Sequence, residues 1–149
     1  MVQLRVTPLV EVEKITSVIG PIPGRITSHL DLDRAIHRGL PAKTVARLGD
    51  AIAPGEPAFR FMIVAKSTLA RRLKANERLT PAEGEKVARL ARIWAMAKEV
   101  WGSEADARRF LETPHPLLEG RPPREVAESE IGAREVENIL GRLRFGAAA

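Results

Sequence analysis

A chain of 149 residues, 44% of them hydrophobic, is long enough to bury one compact core, with room for two subdomains. It has no cysteine, which excludes a disulfide framework, a thiolate metal site and a cysteine nucleophile. The net charge of +5 is uneven: residues 66–92 carry eight basic and three acidic side chains, whereas residues 93–149 carry eight and ten. The central stretch is therefore a basic band of the kind that attracts a polyanion, its competing reading being an ordinary solvated helix face.

Aromatic residues make up only 4% of the chain. Alternating runs of Val, Ile and Thr are scarce beyond the first twenty residues, so the fold class expected is all-α. Residues 1–28 resist assignment, because Pro8, Gly20-Pro21 and Pro23-Gly24 interrupt any regular pattern, and they read as a mobile or partner-ordered arm. LDLDRAIHR reads as a short helix ending at Gly39, and Pro41 fits the first position of the next, whose Val45, Leu48 and Ile52 share a face.

APGEP, residues 53–57, marks a break, followed by a compact helix with Phe59, Met62 and Ile63. Val64-Ala65 reads as a turn, and Lys66-Ser67 opens a second helix in which Leu69 and Leu73 point inward while Arg71, Arg72 and Lys74 are left outward. Helix, short turn, helix is the arrangement that lays its second helix in the DNA major groove. The candidate DNA-binding residues are Lys66, Ser67, Thr68, Arg71, Arg72 and Lys74: amides and hydroxyls at a helix start hold phosphate, and arginine forks onto guanine or the backbone.

Thr80-Pro81-Ala82-Glu83 is a capping box with proline at the first helical position, and it predicts a long helix to about Trp101, stopped by Gly102. Val87, Leu90, Ala91, Trp94, Ala97 and Trp101 form its apolar stripe, which makes it the spine of the fold, and both tryptophans read as core. Ser103 starts another helix that ends at Thr113-Pro114, a short one follows Pro122-Pro123 around 124–128, and Gly132 precedes the last, with Val136, Ile139, Leu140 and Leu143 as its apolar face. The proline-flanked loop between them, with Phe110, Leu111, Pro114, Leu117 and Leu118, is either a cap over the core or an exposed anchor.

His29, His37 and His115 are too scattered for a metal site. Acidic pairs two residues apart on helices, such as Asp31 with Asp33, face different ways, and there is no glycine-rich phosphate loop or HExxH, so neither an enzyme nor a cofactor is expected. The N-terminus lacks a continuous apolar stretch and the longest apolar runs, 61–65 and 93–97, are too short for a bilayer. A soluble cytoplasmic protein with no membrane partner is the expectation.

GLPAKTVARL, then STLARRLKANERLTPAEGEKVARLARIWAMAKEVWG, then ARRFLETPHPLLEGRPPREVAESEIGAREVENILGRL resemble, in order and spacing, the Xre-like antitoxins of RES-Xre toxin-antitoxin pairs, the MbcA/ParS/Xre family, over about residues 30–146. The resemblance implies a homodimer in which an Xre/Cro-like helix-turn-helix bundle is joined by a long helix to a small helical toxin-binding domain. On that scheme residues 1–28 have no assigned role, 29–92 form the DNA-binding and dimerisation domain, and 93–149 bind the toxin and end in an arm.

The partner implied is a RES-type toxin, an NAD-consuming enzyme with an ADP-ribosyltransferase-like fold, whose NAD pocket the antitoxin's end obstructs. A second partner implied is the operon's own promoter, bound as autorepressor. Carried onto this sequence, the toxin-contact candidates are Arg109, Phe110, Leu111, Pro114, Leu117, Gly120 and Gly141-Arg142-Leu143. Arg144 and Phe145 stand where family members often have an acid and a histidine; arginines there suit an anionic dinucleotide pocket. The alternatives are a helix-turn-helix regulator with no toxin partner and a dimeric scaffold with no DNA affinity.

Overall fold

The computed structural model describes residues 10–144 and 146. Among these the chain forms helices and no strands: α1 (Val12–Ile19), α2 (His29–Arg38), α3 (Lys43–Ile52), α4 (Ala58–Phe61), α5 (Lys66–Ala75), α6 (Pro81–Trp101), α7 (Glu104–Glu112), a 3-10 turn (Pro116–Leu118), α8 (Pro123–Val126) and α9 (Glu130–Arg144). No helix among them is long and apolar enough to cross a membrane.

The spine is as expected, and more deeply placed. Thr80 accepts the Glu83 amide at 3.2 Å while Glu83 reaches back to the Thr80 amide at 2.8 Å, which closes the capping box and starts α6 at Pro81. Helices α1, α2, α3, α7 and α9 all pack on α6. Its middle is consequently buried on every side, from Ile93 through Ala97, and not along a single stripe. A helix apolar all round is one that others surround.

Residues 10–28 are not a loose arm. Helix α1 packs on α6 and α3 with Val12, Ile15 and Ile19 buried, and Val10 just before it is buried too. These side chains recur at three and four residues, a helical period that the glycines and prolines on either side obscured in the sequence. Each contributes roughly 1.5–3 kcal/mol by leaving water. Residues 1–9 of the expected arm lie outside the described residues.

Two smaller expectations are corrected. Pro41 does not begin α3; it lies in an antiparallel bridge with Arg78 and its carbonyl accepts the Thr44 amide at 3.0 Å, so the α2–α3 and α5–α6 links are stitched together. Gly39 makes that approach possible, since its φ of 106° is left-handed and a Cβ there would stand 2.9 Å from the Arg78 Cβ. Gly132 does not precede the last helix but lies inside its first turn, where a Cβ would fall 1.9 Å from the Val126 carbonyl oxygen. Only glycine allows α9 to begin that close to α8.

Candidate nucleic-acid and partner surfaces

Helix α5 begins at Lys66 with Ala65 at its N-cap and no side-chain cap. Its first turn therefore has no side-chain cap acceptor at Ala65, and carries exposed Lys66 and Ser67 and half-buried Thr68. Ser67, Arg71 and Lys74 follow at four- and three-residue spacing on one exposed face. Lys66 lies over the Phe61 ring at 5.9 Å, and Arg71 bonds Glu77 at 2.8 Å yet stays 60% exposed, so both charges remain presented.

Arg72 does not belong to that face. It is half-buried and ion-pairs with Glu83, the capping residue of α6, so it holds α5 to the spine. Burial alone would disfavour the charge on Glu83, but the Thr80 amide and the Arg72 guanidinium outweigh it and hold the carboxyl below its ordinary value. Leu73, expected inward, is half-buried.

The arginines of the α6 part of the band are also taken up internally. Arg89 donates to Glu130 at 3.0 Å and to the Glu128 carbonyl at 2.7 Å, and Arg92 pairs with Glu137 at 2.6 Å. Lys86 and Arg78 bond the Met62 and Gly39 carbonyls. The arginines of α6 thus take up acidic groups of α9 and form a clamp between helices, which leaves the α5 half of the band on the surface. Partial burial works against the Glu130 charge, but the Arg89 bond and the charges of Arg92, Arg89 and Arg134 hold its carboxyl low.

A second surface lies at the opposite end of α6. Trp101, 40% exposed, meets Phe110 at a ring separation of 5.7 Å, and His115 stands edge-on to Phe110 at 6.2 Å. The His115 Nδ1 accepts the Leu117 amide at 3.1 Å, which fixes the ring and starts the 3-10 turn. With Asp106, Arg109, Thr113, Pro114 and Leu143 these side chains line an open cavity of about 440 Å³. An aromatic floor with one acid and one base at its rim is suited to an apolar anchor from another protein.

Of the residues expected to contact a partner, Arg109, Phe110, Pro114 and Leu143 are brought together in this cleft. Leu117, 55% exposed, and Gly120 lie on the adjoining turn. Leu111 and Gly141 face the core and are buried, which removes their side-chain positions from any direct contact. Arg142 is exposed, whereas Arg144 bonds Glu99 at 3.2 Å, the same carboxylate that Lys14 of α1 grips by its other oxygen. Phe145 lies outside the described residues.

Trp101 and His115 were not expected here. Trp101 continues the apolar stripe of α6 and reads as core, but it is the last residue before Gly102, where the helix stops and neighbours cover one side only. His115 had no signal beyond its two flanking prolines.

The fold and the two surfaces define a helix-turn-helix protein carrying a helical interaction domain on a shared spine. A model of the antitoxin Xre-like helix-turn-helix domain matches residues 31–92, and a model of the antitoxin Xre/MbcA/ParS C-terminal toxin-binding domain matches residues 96–146. The chain belongs to the Xre-type antitoxin family. It is similar to an antitoxin Xre of Yersinia enterocolitica, 33% identical over 97 residues that make up 64% of this chain and 66% of the relative. An antitoxin Xre of Pseudomonas putida is 31% identical over 60% of this chain and 57% of its own length. One of Photorhabdus laumondii is 24% identical over 77% and 79%. The matched stretches thus span just under two thirds of the first relative and less of the second, and α1 lies outside both domain matches.

Proposed function

We propose that this chain is an antitoxin that neutralises a RES-type NAD-degrading toxin by blocking its NAD-binding site, and that it represses its own promoter as a homodimer. The observation that carries the reading is the open cleft in which exposed Trp101 and half-buried His115 flank buried Phe110 beside the last turn of α9, inside the stretch that matches a toxin-binding domain. The cleft supplies a seat for an apolar anchor of the toxin. Exposed Arg142 then faces the anionic dinucleotide pocket, and Arg144 joins it by exchanging Glu99 for the toxin, a cheap exchange because Lys14 stays on Glu99. The exposed face of Ser67, Arg71 and Lys74 supports the promoter-binding half of the reading.

Residues 142–149 provide the test, because a cut after Gly141 removes Arg142 and Arg144, with Leu143 at the edge of the cleft, and leaves the Trp101, Phe110 and His115 part of the cleft and buried Ile139 and Leu140 in place. Co-expressed with a RES-type toxin, the full chain is expected to preserve cellular NAD, and the shortened chain to bind the toxin while losing most of that protection. Full protection by the shortened chain would refute occlusion by the arm. Loss of NAD with the full chain as well leaves the alternative of a regulator without a toxin partner.

A further inference from the structure

Besides packing on a common spine, the helix-turn-helix and the C-terminal helices are joined directly by two arginines. Arg108 of α7 donates from Nε to the Ala51 carbonyl at 2.8 Å and lies over the Trp94 ring at 5.4 Å. Arg124 of α8 bonds Glu56 at 2.6 Å and lies over the Phe59 ring at 5.8 Å. Ala51 and Glu56 sit at the two ends of the link from α3 to α4, and Phe59 is the buried anchor of α4. Between α7 and this link an open cavity of about 510 Å³, lined by Ile52, Pro54, Glu56, Arg108 and Glu112, takes the place of tight packing. Arg108 lines this cavity, whereas Arg124 reaches Glu56, another of its lining residues, from α8.

Helix α5 leans chiefly on α4, and Arg72 adds its bond to Glu83. The placement of α4 therefore decides the placement of the DNA-facing residues. We infer that Arg124, with Arg108 beside it, is a positioning residue for the helix-turn-helix: it fixes α4 through Glu56 and Phe59, and through α4 the angle of α5, without reaching DNA. Arg124 has 22% of its side chain exposed, and its guanidinium both pairs and stacks, a double use that lysine does not reproduce. The inference gives the promoter-binding reading a consequence: Arg109 and Phe110 of the partner cleft neighbour Arg108 on α7, so a protein seated in the cleft acts on the helix that steadies the DNA-binding motif.

The test uses the full chain and two readouts, amide hydrogen exchange and binding to a fluorescent duplex of the region upstream of its own gene. Arg124→Ala and Glu56→Ala are each expected to speed exchange in residues 58–75 while α6 and α9 stay protected, and to weaken duplex binding about fivefold, a change near 1 kcal/mol. The slope of log affinity against log salt stays that of the parent, because no phosphate contact is lost. Arg124→Glu combined with Glu56→Arg restores the ion pair but not the contact with the Phe59 ring, so it recovers part of both readouts, and Arg124→Lys falls between parent and alanine.

Unchanged exchange in residues 58–75 overturns the inference, as does a uniform loss of protection across the whole chain. A salt slope reduced by about 0.9 would make Arg124 a phosphate contact instead. If the parent chain binds no duplex, the promoter reading falls by itself and the exchange pattern still decides whether Arg124 positions the motif.

Discussion

The basic residues of α5 and those of the first half of α6 lie within one 27-residue stretch of positive charge, and the fold puts them to opposite uses. Lys66, Arg71 and Lys74 stand on the surface, while Arg89 and Arg92 are half-buried against Glu130 and Glu137. Depth makes the difference. An exposed pair such as Arg71 with Glu77 is worth about 0–1 kcal/mol and leaves its charge available to a polyanion. A sheltered arginine that loses its carboxylate leaves an unpaired charge in a poor solvent, so it holds helices together and has little left for a ligand.

The sharpest way to break the contrast is at the α8–α9 junction that the clamp secures. Gly132→Ala sets a Cβ against the Val126 carbonyl and is expected to cost about 3 kcal/mol or more, lowering the melting temperature by roughly 6–12 °C. Calorimetry measures it, and an unchanged melting temperature means α9 starts elsewhere. Arg92→Ala comes next, at about 1–2 kcal/mol, since its side chain is 23% exposed and solvent screens part of the effect.

Arg92→Ala also has a signature in acid. The folded chain holds the Glu130 carboxyl below its ordinary 4.5, so that group stabilises the fold above this value and its contribution is lost as pH falls further. Without Arg92 the carboxyl moves back toward 4.5, and the stability of the variant is expected to depend less steeply on pH below that point. The smallest effect on the fold belongs to Arg71→Ala, within about 0.5 kcal/mol, with a salt slope of duplex binding shallower by about 0.9. Loss of stability with an unchanged slope would place Arg71 with the clamp and erase the distinction.

Most of the elements were legible in the sequence because their signals are local. The capping box at Thr80, the stops at Gly39 and Gly102 and the Ser103 cap each lie within a few residues of the helix end they set. Helix α1 was missed although Val12, Ile15 and Ile19 carry its period, because eight residues between proline-rich flanks seldom hold a helix without packing. Here α3 and α6 supply that packing. The cleft was half legible: Phe110 lies near the end of a helix whose stop at Thr113-Pro114 is conspicuous, whereas Trp101 is indistinguishable from a core residue until the end of α6 is seen.

By itself the sequence determined the all-α class, the long capped spine, the basic face of α5 and the family to which the chain belongs. Those depend on spacing along the chain, which a sequence records directly. The tertiary structure alone decided which cations are presented and which are consumed, because Arg89 meets Glu130 across 41 residues and Arg124 meets Glu56 across 68. Charge is written residue by residue, but whether it faces water or a carboxylate depends on which helix folds back over it.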